Sequence, residues 1–261
     1  MPPIDMNNAN PQLDSPLFNR IPGEIRDRIF EFAVTDHCFG RQPYAKNAYY
    51  YRPNYRYKDT KIDTTLLRIC RRIYQETWAL PLQNFQMTLW YYRGPQVGLF
   101  PRGASGNRPN RDQPHVDVKS LHLFTQQFWL EKWENEARGF AKQLPNLQHL
   151  RITLRHSDWW WWENSSPLRL DPKQHGTADM RNRRGASDPF DGSSWGNQLQ
   201  HFQALKTFEL ELETVEGKSV ELDEIVKWAP GWKFPVANDR VLRLNPSKTR
   251  RTGWHGAKLR E

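Results

Sequence analysis

Cysteine is nearly absent: Cys38 and Cys70 are the only two in 261 residues. Two cysteines make no disulfide framework, and their spacing fits no metal-ligand pattern. This usage points to a reducing compartment, cytosol or nucleus, with Cys70 expected as a small core residue on a helix. The sequence also lacks a run of eighteen apolar residues and a charged-then-apolar leader. Neither a membrane span nor a secretory signal is visible, so no membrane partner is expected. Catalytic signatures are missing as well. No HExxH, P-loop, G-x-S-x-G or G-x-G-x-x-G occurs, and the eight histidines do not pair with cysteine or carboxylate at ligand spacings. These gaps point to a non-enzymatic protein with no metal and no cofactor.

Aromatic residues are abundant. They make up 13% of the chain against 37% hydrophobic residues in total, so the core leans on Trp, Tyr and Phe, which bury large areas each. The length suits one large domain, or one domain plus a small N-terminal module. The net charge of +9 is unevenly spread, with excesses of +5 over residues 61–115 and +4 over 216–261. Such patches read as solvated loops with room for an acidic or phosphate-bearing partner. The short runs Arg181–Arg184 and Lys248–Arg251 carry little specificity.

The stretch LFNRIPGEIRDRIFEFAV, residues 17–34, organises the N-terminal part after a loose tail at 1–16. Ile21, Ile25, Ile29, Phe32 and Ala33 recur at helical spacing, Pro22 suits a helix start, and Glu24 suits its positive end. Phe30 and Val34 widen the apolar stripe, so the helix is expected to touch two things. Residues 36–60 interleave tyrosines with basic residues. Tyr44, Arg52, Tyr55 and Arg56 could stack bases and pair phosphates, the alternative being an extended loop whose tyrosines pack down. A helix capped by Asp63 or Thr64 is expected to run to Leu80 before Pro81, burying Leu66, Ile69, Cys70, Ile73 and Tyr74 or Trp78. A strand with Phe85, Met87, Leu89 and Tyr91 follows, and then a basic loop at 93–115.

From residue 116 a template recurs. Val118-x-x-Leu121-x-Leu123, Leu147-x-x-Leu150-x-Ile152-x-Leu154 and Leu205-x-x-Phe208-x-Leu210-x-Leu212 are offset by 29 and then 58 residues. That is within the range of leucine-rich-type units. Helices are expected at 128–144 and 220–228, and a last strand, Val241–Leu244, closing the sheet edge. Residues 157–200 interrupt the pattern with Trp159, Trp160, Trp161 and Trp162 and then a polar stretch expected to be poorly ordered. Four adjacent indoles cannot all face one way, so part of this cluster is expected to form a substrate or second interface. Glu209, Glu211 and Glu213 share one face of a strand, which a half-buried strand needs in any case.

IPGEIRDRIFEFA resembles the opening helix of an F-box. TTLLRICRRIYQETWALPLQNFQMTLW is similar to a helix-then-strand segment of a large group of uncharacterised fungal F-box-like proteins, as are ALKTFELELETVEGKSVELDEIVKWAPGWKFPV and RRTGWHG. The resemblance implies F-box-like helices at 17–92, and the template with its strand–helix order predicts a leucine-rich-repeat-like sheet with crossover helices at 116–261, an α/β fold with α+β as the alternative. The resemblance further implies a protein-interaction module, a substrate adaptor of a Skp1-cullin ubiquitin ligase. Leu17, Ile21, Pro22, Ile25, Ile29 and Phe30 would meet a Skp1-type partner, and the body would hold an unknown protein substrate. A nucleic-acid-binding or nuclear scaffold protein is the alternative.

Overall fold

The structure is a computed structural model and describes residues 9–34, 51–52, 64–81, 86–91, 118–164, 166–173 and 194–255. The chain divides into two compact units, Met1–Phe85 and Gln86–Glu261.

In the first unit, a single-turn helix α1 (Pro16–Asn19) precedes α2 (Gly23–Ala33). Pro22 sits just ahead of α2 in extended backbone, where its missing N–H and fixed φ favour a helix start. At the other end, the Val34 N–H donates to the Phe30 carbonyl and closes the last turn. The helix expected from 64 to 80 is broken. A 3-10 turn, Thr65–Arg68, is followed by α3 (Arg71–Thr77), and Cys70 between them is extended. The Cys70 Sγ accepts from the Ile73 N–H, so this residue caps α3 and is only half-buried. The break rotates the face of the segment, leaving Ile69 and Trp78 exposed while Ile73 and Thr77 are buried.

The second unit is built on a four-stranded parallel sheet in the order β1 (Gln86–Trp90), β2 (Ser120–Phe124), β3 (His149–Leu154), β4 (Thr207–Leu212). The chain is therefore mixed α/β. β1 lies in this unit, paired with β2, although its sequence reads on from the N-terminal region. Leu121, Leu150 and Phe208 align across β2, β3 and β4, as do Leu123, Ile152 and Leu210. The register offsets are the 29 and 58 residues of the sequence template. Val118, Leu147 and Leu205, which open each unit of the template, are all buried. The rungs repeat too: the Lys119 carbonyl accepts from the N–H groups of Gln148 and His149, and the Gln148 carbonyl from those of Lys206 and Thr207.

Two helices follow β2, α4 (Gln127–Leu130) and α5 (Glu134–Gln143), in place of the one expected. Glu131 to Trp133 form the break, where the Glu131 carboxylate and the Trp133 indole are both turned inward. Trp133 donates its indole N–H to the Trp195 carbonyl at 3.1 Å, and Trp195 donates to the Asp171 carbonyl at 2.8 Å. Trp195 and Leu199, on a 3-10 helix at Trp195–His201, are fully buried. The stretch expected to be poorly ordered thus supplies part of the core at its two ends. Residues 174–193 of it lie outside the described residues.

Helix α6 (Ser219–Trp228) leads to β5 (Lys233–Val236) and β6 (Arg240–Arg243). The last strand does not close the main sheet. It pairs antiparallel with β5 in a separate two-stranded sheet. Asn238 and Asp239 take positive φ, 61° and 56°, at the turn between them, and these are residue types that tolerate that region.

Candidate functional site

Helix α2 carries two apolar stripes with opposite fates. Phe30 and Val34 are buried, Phe30 to 1% exposure. Ile25, Ile29 and Phe32 stand out at 53%, 42% and 72% exposure. Steps of four and three put these three on one face, and a 100° turn separates Ile29 from Phe30. Of the six residues expected to meet a partner, Ile25, Ile29 and Pro22 are exposed, and Leu17 and Ile21 are half-buried. Phe30 belongs to the buried stripe and leaves the set. Phe32 takes its place, and continuing the i, i+4, i+7 period from Ile25 locates it.

A charged clamp fixes the orientation of this helix within the first unit. The Arg26 guanidinium donates to both Glu76 carboxylate oxygens, each at 3.1 Å, and to the Ile21 carbonyl at 2.8 Å. Arg72 donates to the same carboxylate at 2.9 Å. Both guanidinium groups lie over the Phe18 ring, 5.4 and 5.3 Å from its centre. The hydrogen bond to Glu76 raises the Arg26 pKa. Burial alone would raise the Glu76 carboxyl, but hydrogen bonds from Arg26 and Arg72 outweigh it and hold the group below its ordinary value. A bidentate, doubly donated carboxylate is among the stronger ion pairs, so α2 presents Ile25, Ile29 and Phe32 from a fixed mount.

The four tryptophans separate into distinct roles. Trp159 is buried and its indole N–H donates to the Glu213 carbonyl at 2.8 Å. The Trp160 indole N–H donates to Glu131 at 2.7 Å, while its backbone N–H donates to Gln127. The Gln127 amide donates in turn to Glu131 and to the Arg169 carbonyl. Trp162 packs edge-on against His156. Trp161 alone is exposed, at 56%, with φ of 55°. Left-handed backbone costs an ordinary L-residue about 1–2 kcal/mol. With Trp160 and the exposed Phe128 it makes a small aromatic shelf, rings 5.8 to 6.0 Å apart.

The opposite face of the main sheet from its leucines carries a polar ladder. His122 meets the Thr153 hydroxyl at 2.7 Å, and that hydroxyl donates to Glu211 at 2.6 Å. Arg151 bridges Glu209 and Glu211. These groups pair with one another across strands, although the Arg151 Nε has no hydrogen-bond partner among the described residues. Among the described residues, no group of three His, Cys, Asp or Glu could hold a metal ion, and no helix is long and apolar enough to cross a membrane.

Of the residues considered for nucleic acid, Arg52 is buried. Tyr44, Tyr55 and Arg56 lie outside the described residues, as does Cys38. Comparison of the chain with family models, with curated proteins and with solved structures gives no match.

Proposed function

We propose that this chain is a non-catalytic protein-interaction module of the cytosol or nucleus, an F-box-type substrate adaptor. The α2 face docks on a Skp1-type partner. The second unit, an irregular leucine-rich-repeat-like sheet, presents a protein substrate, with the shelf at Trp161 as one of its contact points. One observation carries the reading: three large apolar side chains, Ile25, Ile29 and Phe32, stand in solvent on a rigidly mounted helix.

Full burial of such a side chain is worth about 1.5–3 kcal/mol. Against the cost of association, three of them suit a groove-binding helix in which a few anchors dominate. The order of the sheet, each strand beside its neighbour in sequence and all parallel, supports the repeat-like description of the body.

Isothermal titration of the full chain against a purified Skp1-type protein tests the adaptor. Ile25→Asp with Phe32→Asp should abolish binding while leaving thermal unfolding unchanged, because both positions are already exposed. No binding by the unaltered chain, or undiminished binding by the variant, would remove the adaptor reading.

A further inference from the structure

The hairpin of β5 and β6 bears an electrostatic arrangement that its own fold does not need. In the register of the pair, Lys233 lies directly opposite Arg243. Like charges directly opposite each other on a two-stranded ribbon are destabilising. Both are exposed, and among the described residues neither has an ion-pair partner. Residues 227–251 hold seven Lys or Arg and one acidic residue, Asp239. Arg251 is engaged by Asp223 at 2.9 Å, and Arg240 donates to the Ala237 and Gln203 carbonyls, so these two are spoken for. Lys233 and Arg243 are not.

Phe234 and Val236 face the core, so Lys233 and Pro235 face out, with Arg243 and Val241 opposite them on the same side. No described strand pairs with the far edge of β6. Alternate residues of such an edge turn N–H and C=O groups outward, a template for another strand. Val241, exposed, shares the outward face of this strand with Arg243.

We infer that the β6 edge binds an acidic, extended polypeptide segment by strand addition. The peptide's backbone pairs with β6, its carboxylates settle between Lys233 and Arg243, and an apolar residue covers Val241. On the outward face the two cations are flanked by Pro235 and Val241, which offer no aromatic ring, and this favours a peptide over a nucleic acid, since binding single strands relies on exposed rings to stack bases. This surface is on the second unit and independent of the α2 face.

A fluorescein-labelled peptide repeating Glu-Thr-Val-Thr, in which glutamate and valine alternate along one face of the extended chain, titrated into the full chain and followed by anisotropy, tests the inference. Binding should raise the melting temperature. Lys233→Glu with Arg243→Glu, both solvent-facing, should weaken binding about tenfold or more. The same peptide N-methylated at alternate residues keeps its charges but loses donors, and should bind about tenfold more weakly too. The Ile25→Asp, Phe32→Asp chain should bind the peptide unchanged. The inference fails if the unaltered chain does not bind the peptide or if the N-methylated peptide binds equally well. It also fails if single-stranded oligo(dT) binds more tightly and displaces the peptide.

Discussion

Asp158 holds Arg155 in a buried grip three residues along the chain. Its carboxylate accepts from the Arg155 backbone N–H at 3.0 Å, from Nε at 2.6 Å and from Nη2 at 3.0 Å. The guanidinium lies over the stacked rings of Trp90 and Phe124, 5.3 and 5.9 Å from their centres. Removing one partner of a buried pair strands the other charge, at about 3–5 kcal/mol. Asp158→Ala should therefore lower the unfolding free energy of the second unit, read from urea titration, by that amount. Asp158→Asn, which keeps one acceptor, should cost less. A loss below about 1 kcal/mol for the alanine variant would show that water reaches the guanidinium.

Glu131 behaves differently, because burial raises its pKa and the hydrogen bonds from Trp160 and Gln127 only partly oppose this. The folded state then holds the proton more tightly than the unfolded chain, whose carboxyl titrates near about 4.3. Stability contributed by the neutral form is complete below that value and is lost as pH rises through the folded pKa. Glu131→Gln should remove this component, flattening melting temperature against pH in that window. Superimposable profiles for variant and parent would mean that Glu131 titrates normally.

Most of the sheet was legible, and for a physical reason. A strand buried on its leucine face must place an apolar residue at every second position, and parallel neighbours in register repeat that pattern. The spacing of Leu121, Leu150 and Phe208 therefore encodes the pairing itself. The breaks were not legible. Leu66, Ile69, Ile73 and Trp78 fit one helix on paper, and so do Phe128, Ala137 and Leu144. What interrupts them is a thiol cap at Cys70 and a buried carboxylate at Glu131, contacts made in three dimensions. Strand β5 was missed because KFPV contains a proline, which suits an edge or a strand beside one and gives no propensity signal. In α2 the period revealed a wide apolar stripe without saying which half faces solvent.

Two histidines set an acid limit. Burial lowers the pKa of His156, with a smaller effect from Lys218. Burial also lowers His201, assisted by Arg138 and opposed by Glu134. Both are neutral when folded, at pH values where the unfolded chain begins to take up protons. Their contribution to stability is complete above the unfolded value of about 6.5 and is lost as pH falls through the folded pKa. Melting temperature should drop between pH 7 and pH 5 (about neutral to mildly acidic on the imidazole scale). His156→Asn with His201→Gln should reduce that drop. His156 packs on Trp162, so tryptophan fluorescence should report the same transition.

The two stripes of α2 make the sharpest contrast. Phe30 is buried and Phe32 is not, although both are phenylalanines on one helix two residues apart. Phe30→Ala removes a packed ring and leaves a cavity, at a cost of about 3–5 kcal/mol. Phe32→Ala removes a ring already in water and replaces it with a better helix former, so the change should stay within about 0.5 kcal/mol. Denaturant midpoints of the two variants, measured side by side, give the difference directly. Equal destabilisation would mean that Phe32 is covered in solution, and the face it shares with Ile25 and Ile29 would then belong to the protein's own packing. A wide gap, with Phe32→Ala as stable as the parent, leaves those three side chains exposed at no structural benefit to the chain that carries them, as a docking face requires.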